Sequence, residues 1–303
     1  MPRMPRGIEL DKEGIYHVRG QVVGEEGYYP LQEEENAQKL ISIIKHYSDL
    51  YFCEPAGLEL MGDHYHETIR FEAYRQLSEQ ELLELAKKFY PGKHRPYRHW
   101  NKEDWERFNR RVFNVSEYMR NVQQTFACWF NKRHKRKGPF WAGRFRSTES
   151  DNQVETLFYV ELNAVRARLV KRPEDWRYSS VWMRANRQDS WLMPLEKLLG
   201  IPNAAEAEKL YWVLLYWRGT KPSKEDDGVI PFELAEQMER EKFERGCYLQ
   251  KIASFSNGGA IGTWDKIAKM LENPREKAGY RRERRPVPVG VGDLYALRRN
   301  RRK

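Results

Sequence analysis

His64 and His66 stand two residues apart in a segment, His64 to Phe71, whose polar and apolar residues alternate. A strand repeats every two residues, so both imidazoles point to one face, where a single metal ion could bridge them. An exposed pair with no function is the other reading, and the residues alone leave both standing. The chemistry is not that of a zincin helix, because His66-Glu67-Thr68-Ile69-Arg70 lacks the second histidine of HExxH. Glu67 points opposite the histidines in a regular strand and is expected at the surface, although a bulge could bring it to a metal. A second pair lies in Val154 to Val170, where Val154, Phe158, Leu162, Val165 and Leu169 form one apolar helical stripe. Tyr159 and Asn163 fall off that stripe and, four residues apart, project from adjacent turns of one flank. A phenol so placed could serve as nucleophile and a carboxamide as an oxygen ligand. A tyrosine and an asparagine at a partly buried helix edge is the plainer alternative.

Cations supply the next signal. Lys132, Arg133, Lys135, Arg136 and Lys137 run into the aromatic-basic stretch Phe140 to Arg146, which contains Trp141, Arg144 and Phe145. From Arg275 to Lys303 there are eleven basic and three acidic residues, a net +8 of the chain's +10, with Arg281, Arg282, Arg284 and Arg285 at its centre. Charge interleaved with rings suits a polyanion with phosphates to neutralise and bases to stack, whereas a solvated loop explains a charge run equally well. The terminal group, poor in apolar residues, reads as a flexible arm contacting phosphates without reading bases. Trp141, Arg144 and Phe145 suit positioning of a single strand, with core packing the rival reading for Trp141.

The elements that must hold these residues follow from periodicity. Helices are predicted over Asn36 to Leu50, Ser78 to Tyr90, Val115 to Asn131, Val154 to Val170, Ala204 to Trp217, Phe232 to Arg245 and Trp264 to Leu271. Ser78 and Glu81 form a capping box, and Pro91-Gly92 stops that helix. Gly57 to Met61 and His64 to Phe71 read as extended chain interrupted at Gly62-Asp63, and Lys93 to Trp100 as an irregular basic loop. Gly259-Ala260-Ile261-Gly262 reads as a turn. The polar stretch Arg184 to Ser190 marks a boundary between residues 1–185 and 186–303, with an insertion at about 77–114. With 303 residues, 40% hydrophobic and 13% aromatic, the chain can bury a substantial core and is not disordered. Its longest apolar run, Leu210 to Trp217, is far shorter than the roughly 20 residues of a membrane-spanning helix. The first ten residues lack a signal-peptide-like run, so a cytoplasmic protein is expected. Cys53, Cys128 and Cys247 form no CxxC pair and are expected as buried thiols.

Several segments together resemble the REP-associated tyrosine transposases, relatives of the compact insertion-sequence transposases that carry an HUH motif and a single tyrosine. Gly14 to Val18 is similar to the family's first strand, Leu58 to His66 to its histidine strand, and Gly138 to Ser147 to its GxLWQGRFKS segment. Tyr159-Val160-Glu161-Leu162-Asn163-Ala164-Val165-Arg166-Ala167 is similar to its YIELNPVRAG helix, followed by Arg172 to Trp176, Tyr178 to Ser180, Ser256 to Gly262 and Gly292 to Arg298. The resemblance implies an α+β fold: a small antiparallel sheet of ferredoxin- or RRM-like type with helices on one face, His64 and His66 on a central strand, Tyr159 and Asn163 on the packed helix, and a mainly helical C-terminal domain with a basic tail.

It further implies that His64, His66 and Asn163 hold Mg²⁺ or Mn²⁺ and that Tyr159 attacks DNA, leaving a 5′-phosphotyrosine and a free 3′-OH. Single-stranded or hairpin DNA would be the partner of a monomer or homodimer in the bacterial cytoplasm, near the nucleoid. Gly62-Asp63, Glu67, Ala164 and Arg168 depart from the family pattern without removing a proposed catalytic group. A DNA-binding regulator that keeps the fold without cleaving is the alternative function.

Overall fold

The computed structural model describes residues 10–25, 27–150 and 152–243, together with the backbone of three short strands between 260 and 297. The chain divides into two compact units. One comprises Met1–Ala164 with Pro173–Met193, the other Val165–Arg172 with Pro194–Lys303. The first division at the C-terminal side thus follows Met193 rather than falling within Arg184 to Ser190. Arg184 explains this: its buried guanidinium donates to Ala56 O (2.9 Å) and Met193 O (3.3 Å), tying the polar stretch into the first unit.

The first unit is built on a four-stranded antiparallel sheet in the order β2-β3-β1-β4. Its strands are β1 (Gly14–Gln21), β2 (Cys53–Leu60), β3 (His64–Phe71) and β4 (Arg146–Glu149). The fold class is therefore α+β with a small antiparallel sheet, and β3 is central. β1 alternates buried and half-buried residues, with Tyr16, Val18 and Gly20 inward and Ile15, His17 and Arg19 on the other face. The inward face of β1, with Tyr65, Ile69 and Phe71 of β3, packs against α1 (Glu34–Ser48) and α4 (Val115–Arg133), which contribute Leu40, Ile44, Tyr118, Val122 and Phe126.

Helices cover both faces, not one. α5 (Gln153–Glu161) lies on the opposite, histidine-bearing face against β2 and β3. Its approach requires a glycine, because a Cβ on Gly57 would stand 2.1 Å from Leu157 Cδ1. The free edge of β2 is covered by the segment leading into α7 (Ser180–Ala185), through Leu60 N to Tyr178 O and Ser180 Oγ on Leu58.

Residues 77–113 carry a satellite core. α2 (Glu79–Phe89), with the predicted Ser78/Glu81 box, and α3 (Lys102–Arg111), with an Asn101/Asp104 box, enclose Leu82, Tyr97, Phe108 and Phe113. The second unit contains α8 (Leu195–Leu199), α9 (Ala204–Gly219) and α10 (Phe232–Lys242), with α9 packed on both other helices, and also a three-stranded sheet of β5 (Ala260–Thr263), β6 (Val287–Pro288) and β7 (Leu294–Leu297), ordered β5-β7-β6. Ala260 to Gly262 are strand, not turn. The predicted Trp264 to Leu271 helix lies outside the described residues. Among the described residues no helix is long and apolar enough to cross a membrane. Cys53 is buried as expected, Cys128 is exposed on α4 contrary to expectation, and Cys247 lies outside the described residues.

Candidate active site

Strand pairing collects the site. β1 and β3 run antiparallel with Arg19 opposite His66 and His17 opposite Thr68, while β2 places Glu59 opposite His66. Side chains directly opposite share a face, so His64, His66, His17, Arg19 and Glu59 all stand on the face that α5 covers in part. His17, which sequence reasoning did not single out, is a direct partner: its Nε2 lies 2.7 Å from His66 Nδ1, with the two rings stacked 5.0 Å apart. His64 meets His66 edge-on at 5.0 Å, and its Nδ1 lies 2.7 Å from Asp63 Oδ1. Tyr159, on α5, sets its ring edge-on at 5.5 Å from His17 and 6.5 Å from His66. Tyr159 remains 42% exposed and His66 only 6%, so the cluster has a buried floor and an open rim.

Burial sets the protonation states. The His66 pKa is pushed down to about 2 by desolvation first, then by the charges of His17, His64 and Arg19. His17 is lowered by burial and by Arg19. His64 is also lowered by burial, against the opposing pull of Asp63. Burial would raise Asp63, but its hydrogen bond to His64 and the attraction of His64 and Arg19 hold the carboxyl below the ordinary carboxylate range. Each histidine of the pair therefore stays neutral at pH 7 and has its Nδ1 engaged, as an imidazole that ligates a metal through Nε2 requires.

The helix carrying Tyr159 and Asn163 is not continuous. It ends at Leu162, and α6 (Asn163–Arg166) begins anew. The cause is Glu59, whose buried carboxylate accepts from Asn163 N (3.2 Å) and Ala164 N (2.8 Å). In an unbroken helix those amides would donate to the carbonyls of Tyr159 and Val160. Asn163 Nδ2 takes Val160 O instead, at 3.0 Å. The expected pair on adjacent turns is thus separated by a break, and the position of Asn163 is set by Glu59 rather than by helical spacing. Glu67 does point away from the histidines, as expected, but into the core and not to the surface. Tyr118 Oη donates to it at 2.9 Å, and burial pushes its pKa up to about 8.

The predicted DNA-contacting residues are scattered among different environments. Trp141 is buried against Tyr65 and Phe126 with its indole N–H on Gln123 O (2.8 Å), which favours the packing reading over stacking on a base. Phe145 is likewise buried, whereas Arg144 and Arg146 are exposed. Arg133 pairs with Glu35 at 2.9 Å and Arg136 is half-buried, leaving Lys132, Lys135 and Lys137 of that cluster at the surface. Arg281, Arg282, Arg284 and Arg285 lie outside the described residues.

No protein-family model matches the chain, and no curated protein matches it. Among solved structures it is similar to a REP-associated tyrosine transposase bound to a REP hairpin, with 14% identity and a TM-score of 0.41 over 62% of this chain and 87% of the other. That is a distant structural relationship.

Proposed function

We propose that the chain is a metal-dependent single-strand DNA endonuclease and strand transferase that acts on hairpin or repeat DNA through a covalent bond to Tyr159. The observation that carries this reading is the ring cluster of Tyr159, His17, His66 and His64 at an open rim. His64 and His66 would hold Mg²⁺ or Mn²⁺, with Asn163 as the third protein ligand. Among the described residues no three His, Cys, Asp or Glu side chains surround a common point, so the remaining ligands would be amide, water and phosphate oxygens, as a hard ion prefers. When bound, the ion polarises the scissile phosphate and stabilises charge on the departing 3′ oxygen.

The chain's own residues do the rest. Tyr159 Oη forms a bond to phosphorus as the bond to O3′ breaks. The phenol proton passes to solvent, to which Tyr159 is open, and O3′ takes up a proton. His17 and Asp63 fix the orientation of the two ligands. The resemblance of Tyr159 to Ala167 to the family helix supports the same assignment.

The test is incubation with hairpin single-stranded DNA and Mn²⁺, followed by denaturing electrophoresis. The wild-type chain should form a covalent adduct and Tyr159→Phe should not, while retaining DNA binding. A wild-type chain that binds the DNA but forms no adduct would be the non-cleaving regulator instead.

A further inference from the structure

One rung of the sheet carries two arginines side by side. Across β2-β3-β1-β4 the register runs Glu59, His66, Arg19, Arg146, all on the histidine face. Like charges directly opposite each other on neighbouring strands repel, so this pair needs an anion to be favourable. One carboxylate feels this charge, Asp63, whose pKa the attraction of Arg19 helps to lower, but its two oxygens face His64 Nδ1 and Gln21 Nε2. The same face of β1 otherwise presents Ile15, His17 and Gln21, and that of β4 presents Thr148. Glu59, two strands away, is committed to the amides of Asn163 and Ala164. Arg19 Nε is buried with no hydrogen-bond partner. Its positive charge nonetheless acts on His17, His64 and His66, which locates it beside the ring cluster.

We propose that Arg19 and Arg146 together grip one backbone phosphate of a single nucleic-acid strand, beside the phosphate that faces Tyr159. This rests on the proposed function for its ligand but not for its chemistry: the grip needs no cleavage. Two guanidiniums on adjacent strands offer planar donors to one phosphate, and the bound anion offsets their repulsion.

The test uses the Tyr159→Phe chain, so that no adduct forms, and a fluorescein-labelled single-stranded deoxyoligonucleotide of mixed sequence, titrated at several KCl concentrations. Arg19→Gln and Arg146→Gln should each weaken binding about tenfold, the scale of one charge-assisted contact. Because both hold one phosphate, the double variant should lose less than the product of the single losses, and its slope of log affinity against log salt should fall by about 0.7. Without DNA, the melting temperature of Arg146→Gln should stay level or rise, since a repulsion is removed, and that of Arg19→Gln should stay near level, since its attraction to Asp63 is lost together with the repulsion. Independent, multiplicative losses would overturn the shared grip, as would unchanged affinity in a folded double variant. A lowered melting temperature with an unchanged salt slope would show that the arginines are structural and overturn it too. A wild-type chain that shows this salt dependence yet forms no tyrosine adduct would overturn the cleavage reading alone.

Discussion

The two faces of β3 bury ionisable groups one residue apart and put them to opposite ends. On one face His66 is driven neutral, but its ring stacks on His17 and reaches a rim where Tyr159 is exposed. On the other, Glu67 is also driven neutral, yet Tyr118 is its hydrogen-bond partner and its Oε2 has none. Desolvation alone therefore does not mark a working group. What separates the two is whether the neutral form faces partners and solvent that chemistry can use, or a sealed core in which Tyr65, Cys53 and Tyr118 surround the carboxyl.

Breaking the histidine face should have the largest effect. Replacing both His64 and His66 by Ala should lower metal-dependent adduct formation by at least about a hundredfold, and isothermal titration should detect no Mn²⁺ binding at the site. Undiminished cleavage in a folded double variant would refute the site. Next comes the support for the break at Leu162. Glu59→Ala strands the amides of Asn163 and Ala164 in a buried place and should cost about 3 kcal/mol in denaturant unfolding, a loss that Glu59→Gln should partly restore.

Much of this arrangement was legible from residue spacing. The alternation of His64 to Phe71, the capping box of α2 and the extent of α4 all follow from local rules, and all are local features. The break in the Tyr159 helix was not legible, because its cause is a carboxylate more than a hundred residues earlier, at Glu59. His17 was missed because a lone histidine in an alternating strand says nothing until the partner strand's register is known. The burial of Glu67 did have a signal: it falls in the same alternate set as Tyr65, Ile69 and Phe71, which is the core face.

The core face sharpens the comparison through pH. Glu67 has its pKa raised to about 8 from an ordinary 4.5, so the folded chain holds a proton that the unfolded chain gives up in that window. Its stability contribution is complete below about pH 4.5 and is lost as pH rises towards 8, by up to about 1.4 kcal/mol per unit. Glu67→Gln should flatten this decline, raising stability at pH 8 relative to wild type while changing little at pH 5; equal pH profiles for the two chains would show that Glu67 is not held protonated. Smaller still, Gly57→Ala should push on Leu157 and displace α5, costing about 1–3 kcal/mol in stability and lowering adduct yield. His17→Ala should leave the fold intact and weaken Mn²⁺ affinity about tenfold, since it frees the His66 ring rather than removing a ligand.

The central claim is that Tyr159 is the residue that attacks DNA. Protease digestion of the Mn²⁺-dependent adduct followed by mass spectrometry tests it most directly. A 5′-phosphonucleotide carried on the peptide containing Tyr159 is the expected result. The same mass on another peptide, such as that containing Tyr65 between the two histidines, or no modified tyrosine in a chain that cleaves, would contradict it.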